Sequence, residues 1–205
     1  DILLCRCSVD IDESARKKIS LFTNVEERAV IPLLDADSIY KVPLLMQHEE
    51  LDKVVLQKLD LPAKGAIELT AWKNFLDRIE NPKRTVKIGL VGKYIELKDS
   101  YKSIAEAFVH AGAFNECEVD LKWIHSEKIT LDNVAEELGE LDGVLVAPGF
   151  GSRGIRGKIT SIQYVRENNI PFFGICLGMQ CAVVEFARNV IGWNDAHTTE
   201  ISEDC

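Results

Sequence analysis

No Cys-x-x-Cys pair occurs in these 205 residues, although six cysteines are present. Its absence argues against a zinc ribbon and against a thioredoxin-like redox site. No apolar stretch reaches the roughly 20 residues that a membrane-spanning helix requires, and no secretory leader is visible. Positive charge is in short supply: 24 Lys and Arg stand against 33 Asp and Glu, a formal net charge of -9. Non-specific nucleic-acid binding needs clustered cations; a nucleotide needs only a few local ones. Internal repeats and low-complexity tracts are missing as well. Cysteines scattered without a disulfide framework suit a reducing compartment. The expectation is a cytoplasmic protein without nucleic-acid or membrane partners and without a metal held by these residues.

What is present is an ordinary globular composition, 46% hydrophobic and 28% charged. The length suffices for one good-sized core or two smaller ones. Ile2 to Cys5 reads as a short buried strand and Ala29 to Ile31 as another, ended by Pro32. Asp12 to Phe22 has helical spacing with Asp12 as a cap. A short helix starts at Asp37 or Ser38 and is limited or kinked by Pro43; Leu44 to Leu59 reads as one helix, and Ile67 to Ile79 as an amphipathic one. Asn81-Pro82-Lys83-Arg84-Thr85 marks the best boundary, because Pro82 cannot continue a helix. The division predicted is 1–60, a linker with a helix at 61–85, and 86–205.

From Val86 onward strands and helices alternate. Strands are predicted at Val86–Val91, Cys117–Ile124, Gly143–Val146 and Phe172–Ile175. Helices are predicted at Tyr101–Ala111, Leu131–Leu138, Gly157–Arg166 and Leu177–Val190. This is the pattern of an α/β fold, an open parallel sheet with flanking helices. Ligands in such sheets bind at the carboxyl ends of the strands, where Gly92-Lys93, Pro148-Gly149 and Cys176 all fall.

Cys176 is the residue with the most chemistry. It follows an apolar run, opens a helix, and has Gly174 and Gly178 two residues to either side. That is the layout of a nucleophile elbow, in which glycines let neighbouring backbone pass where a Cβ would clash. A helix N-terminus favours thiolate over thiol. Cys181 lies in the helix body and reads as core. Ala147-Pro148-Gly149-Phe150-Gly151-Ser152-Arg153-Gly154 ends the preceding strand; Gly149 and Gly151 can offer N–H groups to an oxyanion, with Leu177 as the other donor, whereas Pro148 has none. Gly89-Leu90-Val91-Gly92-Lys93-Tyr94 lacks the spacing and the Ser or Thr of an ATPase phosphate loop. Lys93 and Lys102 are left either to touch an anion or to lie on solvated surface. A cysteine nucleophile normally needs a base, and none of His48, His110, His125 and His197 has a convincing setting.

The run Gly174-Ile175-Cys176-Leu177-Gly178-Met179-Gln180 resembles the nucleophile motif of class I glutamine amidotransferases. Gly89 to Tyr94, Asp99-Ser100-Tyr101-Lys102-Ser103 and Gly149 to Gly154 narrow the resemblance to the CTP synthase family. Ile2 to Arg6, Arg16 to Ile19 and Asp37 to Pro43 look like the end of that family's synthetase domain. The resemblance implies that 1–60 is the C-terminal part of a P-loop-like amidoligase domain and 86–205 the N-terminal part of a class I amidotransferase domain. It implies a ligase that aminates UTP to CTP, using ATP with Mg2+ and ammonia from glutamine, activated by GTP, inhibited by CTP and working as a homo-tetramer. By position, Cys176 matches the nucleophile, and Gly149 and Leu177 the oxyanion and substrate-cradling backbone. Gly149, Phe150, Gln180 and Glu200 fall where glutamine is held. Phe150, Arg153 and Lys102 fall near GTP, Lys18 at the UTP and CTP sites, and Asp35 beside the ATP adenine.

Two departures follow. Many members have Pro-Gly-Gly-Phe-Gly where this chain has Ala147-Pro148-Gly149-Phe150-Gly151, so one loop N–H is gone. The family's His-x-Glu pair also has no counterpart before Cys205. The chain therefore reads as an excerpt of something longer and, alone, as a poor glutaminase. Competing readings are another class I amidotransferase or cysteine hydrolase with the same elbow, and a non-catalytic homologue acting in assembly or regulation.

Overall fold

Asp12 caps the first helix as its sequence position requires: its side chain accepts the Ala15 N–H at 2.7 Å. A computed structural model of the chain describes residues 1–63, 65 and 67–200, and these divide into two units, Asp1–Asp77 and Arg78–Cys205. The first contains β1 (Leu3–Cys7), α1 (Glu13–Thr23), β2 (Val30–Leu34), α2 (Val42–His48), α3 (Leu51–Lys58) and most of α4 (Thr70–Glu80). The division falls inside α4 rather than at the proline-bearing segment after it.

In this unit β1 and β2 pair in parallel, Leu3 opposite Val30 through Cys7 opposite Leu34. Four sequence expectations fail here. β1 is not a buried strand; its residues alternate between half-buried and exposed. β2 is not ended by Pro32 but continues to Leu34, with Pro32 opposite Cys5; a proline is tolerated in a strand where its position needs no ladder N–H. The helix expected over Leu44–Leu59 is two helices, broken where Glu50 takes φ 54. Pro43 sits in the first turn of α2, where its fixed φ is favourable, and does not limit a helix. Ala29, Ile31 and Val54 form a small core. Beside it Trp72 donates its indole N–H to the Tyr40 carbonyl at 2.8 Å, and Tyr40 packs edge-on against Phe75.

The second unit is a four-stranded, all-parallel sheet in the order β4-β3-β5-β6, with β3 at Arg84–Gly92, β4 at Cys117–His125, β5 at Gly143–Val146 and β6 at Phe172–Gly174. Helices α5 (Lys102–Phe114), α6 (Val134–Leu138), α7 (Ile155–Glu167) and α8 (Leu177–Phe186) complete the alternation. Successive strand residues face opposite sides. Thus Val91, Val144 and Val146 join one core with Ile162, Val165 and Leu177. Leu90, Leu145 and Ala147 join another with Tyr101. Cores on both faces explain why these strands read as nearly continuous apolar runs. The α6 helix is shorter than its periodicity suggested. α8 gives way to a wider turn over Ala187–Ile191 that ends at Gly192, φ 86. Glu185 in α8 is buried and held by two Arg166 nitrogens, at 2.8 and 3.0 Å, and by Asn189 at 3.1 Å, which ties α7 to α8. The carboxyl ends of β3, β5 and β6 then place three loops at one edge of the sheet.

Candidate active site

β6 ends at Gly174, and the Ile175 N–H still donates to Val146 O at 3.1 Å, so the sheet continues to the brink of the turn. The chain then reverses at Cys176, which has φ 52 and ψ -110. An L-residue rarely occupies that region, and holding it there costs on the order of 1–3 kcal/mol. Helix α8 begins at the next residue; Gln180 N–H already donates to Cys176 O at 3.0 Å. A Cβ on Gly174 would lie 2.6 Å from the Gly178 carbonyl carbon, and one on Gly178 would overlap the Val146 carbonyl. Both glycines are therefore required for strand, turn and helix to close on one another. The result lifts the Cys176 thiol to the surface, while Cys181 is sealed in the core and burial pushes its thiol up. Leu177 is the first residue of α8, so its N–H has no partner within the helix and lies at the positive end of the helix dipole.

The glycine loop after β5 is held by its carbonyls. Lys158, on the second turn's approach in α7 and 0% exposed, donates to Ala147 O at 2.6 Å. The Tyr101 hydroxyl donates to Pro148 O at 3.5 Å and receives the Lys93 and Tyr94 N–H groups at 3.3 and 3.4 Å. Lys93 donates to the Phe150 carbonyl and, at 3.4 Å, to Gly151 O. A Cβ on Gly149 would meet Lys93 Cε at 2.8 Å, so an added methyl group there would have to displace the Lys93 side chain. Lys93 is 4% exposed. It is neither a surface lysine nor one reaching for an anion, as the sequence allowed; it is spent on loop carbonyls. Burial lowers its pKa, reinforced by Arg153.

Burial also lowers Lys158, to about 8, against the opposing pull of Cys181 and Cys176 and with the help of Lys93. The folded pKa lies below the unfolded one, so the cost of burying the cation is fully present below pH 8 and disappears as pH rises toward the ordinary lysine value. Stability should therefore rise between pH 8 and about 10.5, by on the order of 3 kcal/mol for this group. Chemical unfolding at pH 7.5 and pH 10 checks this. The rise should vanish in Lys158→Met.

Of the residues singled out from the sequence, several converge. The Thr198 hydroxyl donates to Gln180 Oε1 at 2.6 Å and accepts the Glu200 N–H at 3.3 Å, bringing Gln180 and Glu200 to one point beside the elbow helix. Phe150 projects from the loop, 75% exposed. Arg153 pairs with Glu127 at 3.2 Å and lies over the Tyr94 ring. Lys102 is instead paired with Glu106 at 2.8 Å on the surface of α5. Lys18 is exposed on α1, and Asp35 is bonded to Arg6 at 3.2 Å; both lie in the first unit. His48, His125 and His197 bond within their own neighbourhoods, and none of these bonds reaches Cys176. His110 is exposed on α5. Among the described residues no group of three or more His, Cys, Asp or Glu can hold a metal ion. No helix among them is long and apolar enough to cross a membrane.

Sequence reasoning missed Lys158 and Tyr101. A signal for Lys158 existed: it shares the helical stripe of Ile155, Ile162 and Val165, a charged residue at a core position.

A strained cysteine at a strand-to-helix turn beside a carbonyl-pinned glycine loop is the arrangement of a cysteine amidotransferase. The family described as "Glutamine amidotransferase class-I" matches residues 96–203, and the chain belongs to it. A second family, "CTP synthase N-terminus", matches residues 1–61. The chain carries the two matches one after the other. It is 59% identical over 203 residues to a CTP synthase of Flavobacterium johnsoniae and 57% identical over 204 residues to one of Cytophaga hutchinsonii. Against one from Methanocaldococcus jannaschii it is 50% identical over 210 residues. These alignments cover 99–100% of this chain and 38–39% of the relatives, so the chain spans well under half of their length. Among solved structures it is similar to the glutaminase domain of Trypanosoma brucei CTPS with bound acivicin, at 40% identity and TM-score 0.55 over 58% of this chain and 47% of that one.

Proposed function

We propose that the protein to which this chain belongs is a glutamine-hydrolysing CTP synthase, and that the second unit carries its ammonia-producing step. The observation that carries this is the elbow: Cys176 exposed at φ 52, wedged by Gly174 and Gly178 at the head of α8. The thiolate of Cys176 attacks the carboxamide carbon of glutamine. Negative charge moves to the carboxamide oxygen, where the N–H groups of Gly149 and Leu177 receive it. The C–N bond then breaks, ammonia leaves, and a thioester remains on Cys176 for water to hydrolyse. Gln180 and Glu200 hold the amino-acid end, Glu200 against the α-ammonium. The base that moves the proton is assigned to a His-x-Glu segment, as the family resemblance implies; the bonds of His48, His125 and His197 go elsewhere than Cys176.

Ammonia then attacks C4 of UTP, whose O4 has taken the γ-phosphoryl group of ATP; the C4–O4 bond breaks and phosphate leaves, giving CTP and ADP. Lys18 serves the UTP and CTP sites, and Asp35 borders the adenine. Phe150, Arg153 and Lys102 serve GTP, an activator. A homo-tetramer in the cytoplasm completes the reading. Mg2+ would accompany the ATP phosphates; among the described residues no group of three or more His, Cys, Asp or Glu could hold it.

Glutamine labelled with 15N at the amide, supplied with UTP and ATP to the full-length protein, tests this. The label should appear at the 4-amino group of CTP. Release of labelled ammonia without CTP would instead favour a different class I amidotransferase or a cysteine hydrolase.

A further inference from the structure

Lys158 has no obvious reason to be a lysine. It is fully buried on the apolar stripe of α7, and its described hydrogen bond goes to one neutral carbonyl. Burying a cation without a counter-ion is costly, and replacing such a group by an apolar one of equal size is often neutral or stabilising. A purely structural role accounts poorly for its presence. Its neighbours suggest another. Tyr101 and Lys93 are also nearly buried, and they take hold of the same loop through Pro148, Phe150 and Gly151 carbonyls.

A trans peptide is planar, so the carbonyl of one residue and the N–H of the next point in opposite directions, and no peptide among the described residues is cis. Holding the Pro148 carbonyl toward Tyr101 turns the Gly149 N–H the other way. Holding the Phe150 carbonyl toward Lys93 does the same for the Gly151 N–H. The Ala147 bond to Lys158 fixes the residue from which this turn departs. Pro148 contributes no N–H, so the loop has no spare donor there and the aim of Gly149 matters more.

We propose that Lys158, with Lys93 and Tyr101, is a positioning residue: the three side chains grip the loop by its carbonyls and so aim the Gly149 N–H at the oxygen of a group attacked by Cys176. The proposal rests on the glutaminase reading above and adds to it the group that sets the oxyanion donor. None of the three touches the reacting atoms; all act through the loop.

The test separates oxyanion binding from nucleophile access. Glutamate γ-semialdehyde accepts the Cys176 thiol at its carbonyl carbon: an S–C bond forms, the C=O π pair moves to oxygen, and the thiol proton ends on that oxygen. The adduct needs the oxyanion site but no leaving group and no co-reactant. Iodoacetamide alkylates the same thiol by displacement of iodide and needs no oxyanion site. In the full-length protein, Lys158→Met should weaken semialdehyde inhibition tenfold or more and change the iodoacetamide rate at Cys176 less than twofold. Its unfolding midpoint at pH 7 should equal or exceed that of the wild type. Tyr101→Phe should act in the same direction, with a smaller loss, and keeps the proposal testable should Lys158→Met not fold. Unchanged semialdehyde affinity in both variants overturns the proposal. A parallel loss in both reagents also overturns it, by showing a general collapse of the elbow. A wild-type protein that reacts with iodoacetamide but not with the semialdehyde overturns the glutaminase reading itself, and the inference with it.

Discussion

Replacing Cys176 by alanine is expected to abolish glutamine-dependent CTP formation, by at least about 10⁴-fold, and to leave formation from added ammonia within about twofold. The size follows from the loss of a nucleophile, which in comparable hydrolases costs several orders of magnitude. The selectivity follows from the placement of the thiol: it lies at the carboxyl edge of the second unit's sheet, while the residues proposed to serve UTP and ATP lie in the first. A steady-state assay with either nitrogen source reads both. A companion change separates chemistry from strain. Cys176→Gly removes the same sulfur but also the Cβ that makes φ 52 unfavourable. It should be as inactive as the alanine variant, yet about 1 kcal/mol more stable than it. Equal stability of the two would mean that the elbow stores no strain.

Gly178→Ala should be among the most damaging single methyl groups in the second unit. The added carbon would overlap the Val146 carbonyl oxygen and lie 2.8 Å from its carbon, both of them backbone atoms in β5. No rotamer change can relieve that, so α8 must lift from the sheet or β5 must shift. Overpacking of this kind costs roughly 3 kcal/mol, which for a unit of this size lowers the unfolding temperature by about 10 °C. Displacement of the elbow by even 1 Å should lower glutamine-dependent turnover about 100-fold. Met179→Ala, next in sequence but half exposed, should change stability by less than about 0.5 kcal/mol. Thermal unfolding of both variants checks the contrast.

The sheet of the second unit was readable because each strand is buried on both faces. Val91 and Leu90, or Val144 and Leu145, are apolar for different cores, and their runs stand out against polar loops. The strand order β4-β3-β5-β6 was not readable, because parallel strands joined by helices carry no local record of which neighbour they choose. In the first unit the helix break at Glu50 depends on a single residue adopting φ 54, which acidic side chains do not advertise. The elbow was legible for the opposite reason. Only glycine fits at Gly174 and Gly178, so the geometry is written in residue type. What lay hidden was the support beneath it. A charge at 158 on an apolar stripe is odd but unexplained, and a tyrosine at 101 looks ordinary, until the loop carbonyls they hold are seen.

The resemblance already placed Gln180 and Glu200 at one site, but the part of Thr198 in joining them was visible only in three dimensions, since 18 residues separate the hydrogen-bonded pair. Gln180 is fixed one turn into α8 by the same helix that presents Cys176. The segment bearing Thr198 and Glu200 follows Gly192 and returns to it through the Arg188 bond to Ala196 O at 2.6 Å.

The account depends on one sulfur being bent out of the core to meet a carboxamide. A diazo-ketone analogue of glutamine, incubated with the full-length protein and followed by peptide mass mapping, tests that most directly. The adduct should lie on Cys176 alone and should be suppressed by glutamine. An adduct on the sealed thiol of Cys181, or one on Cys176 that glutamine fails to suppress, would contradict it.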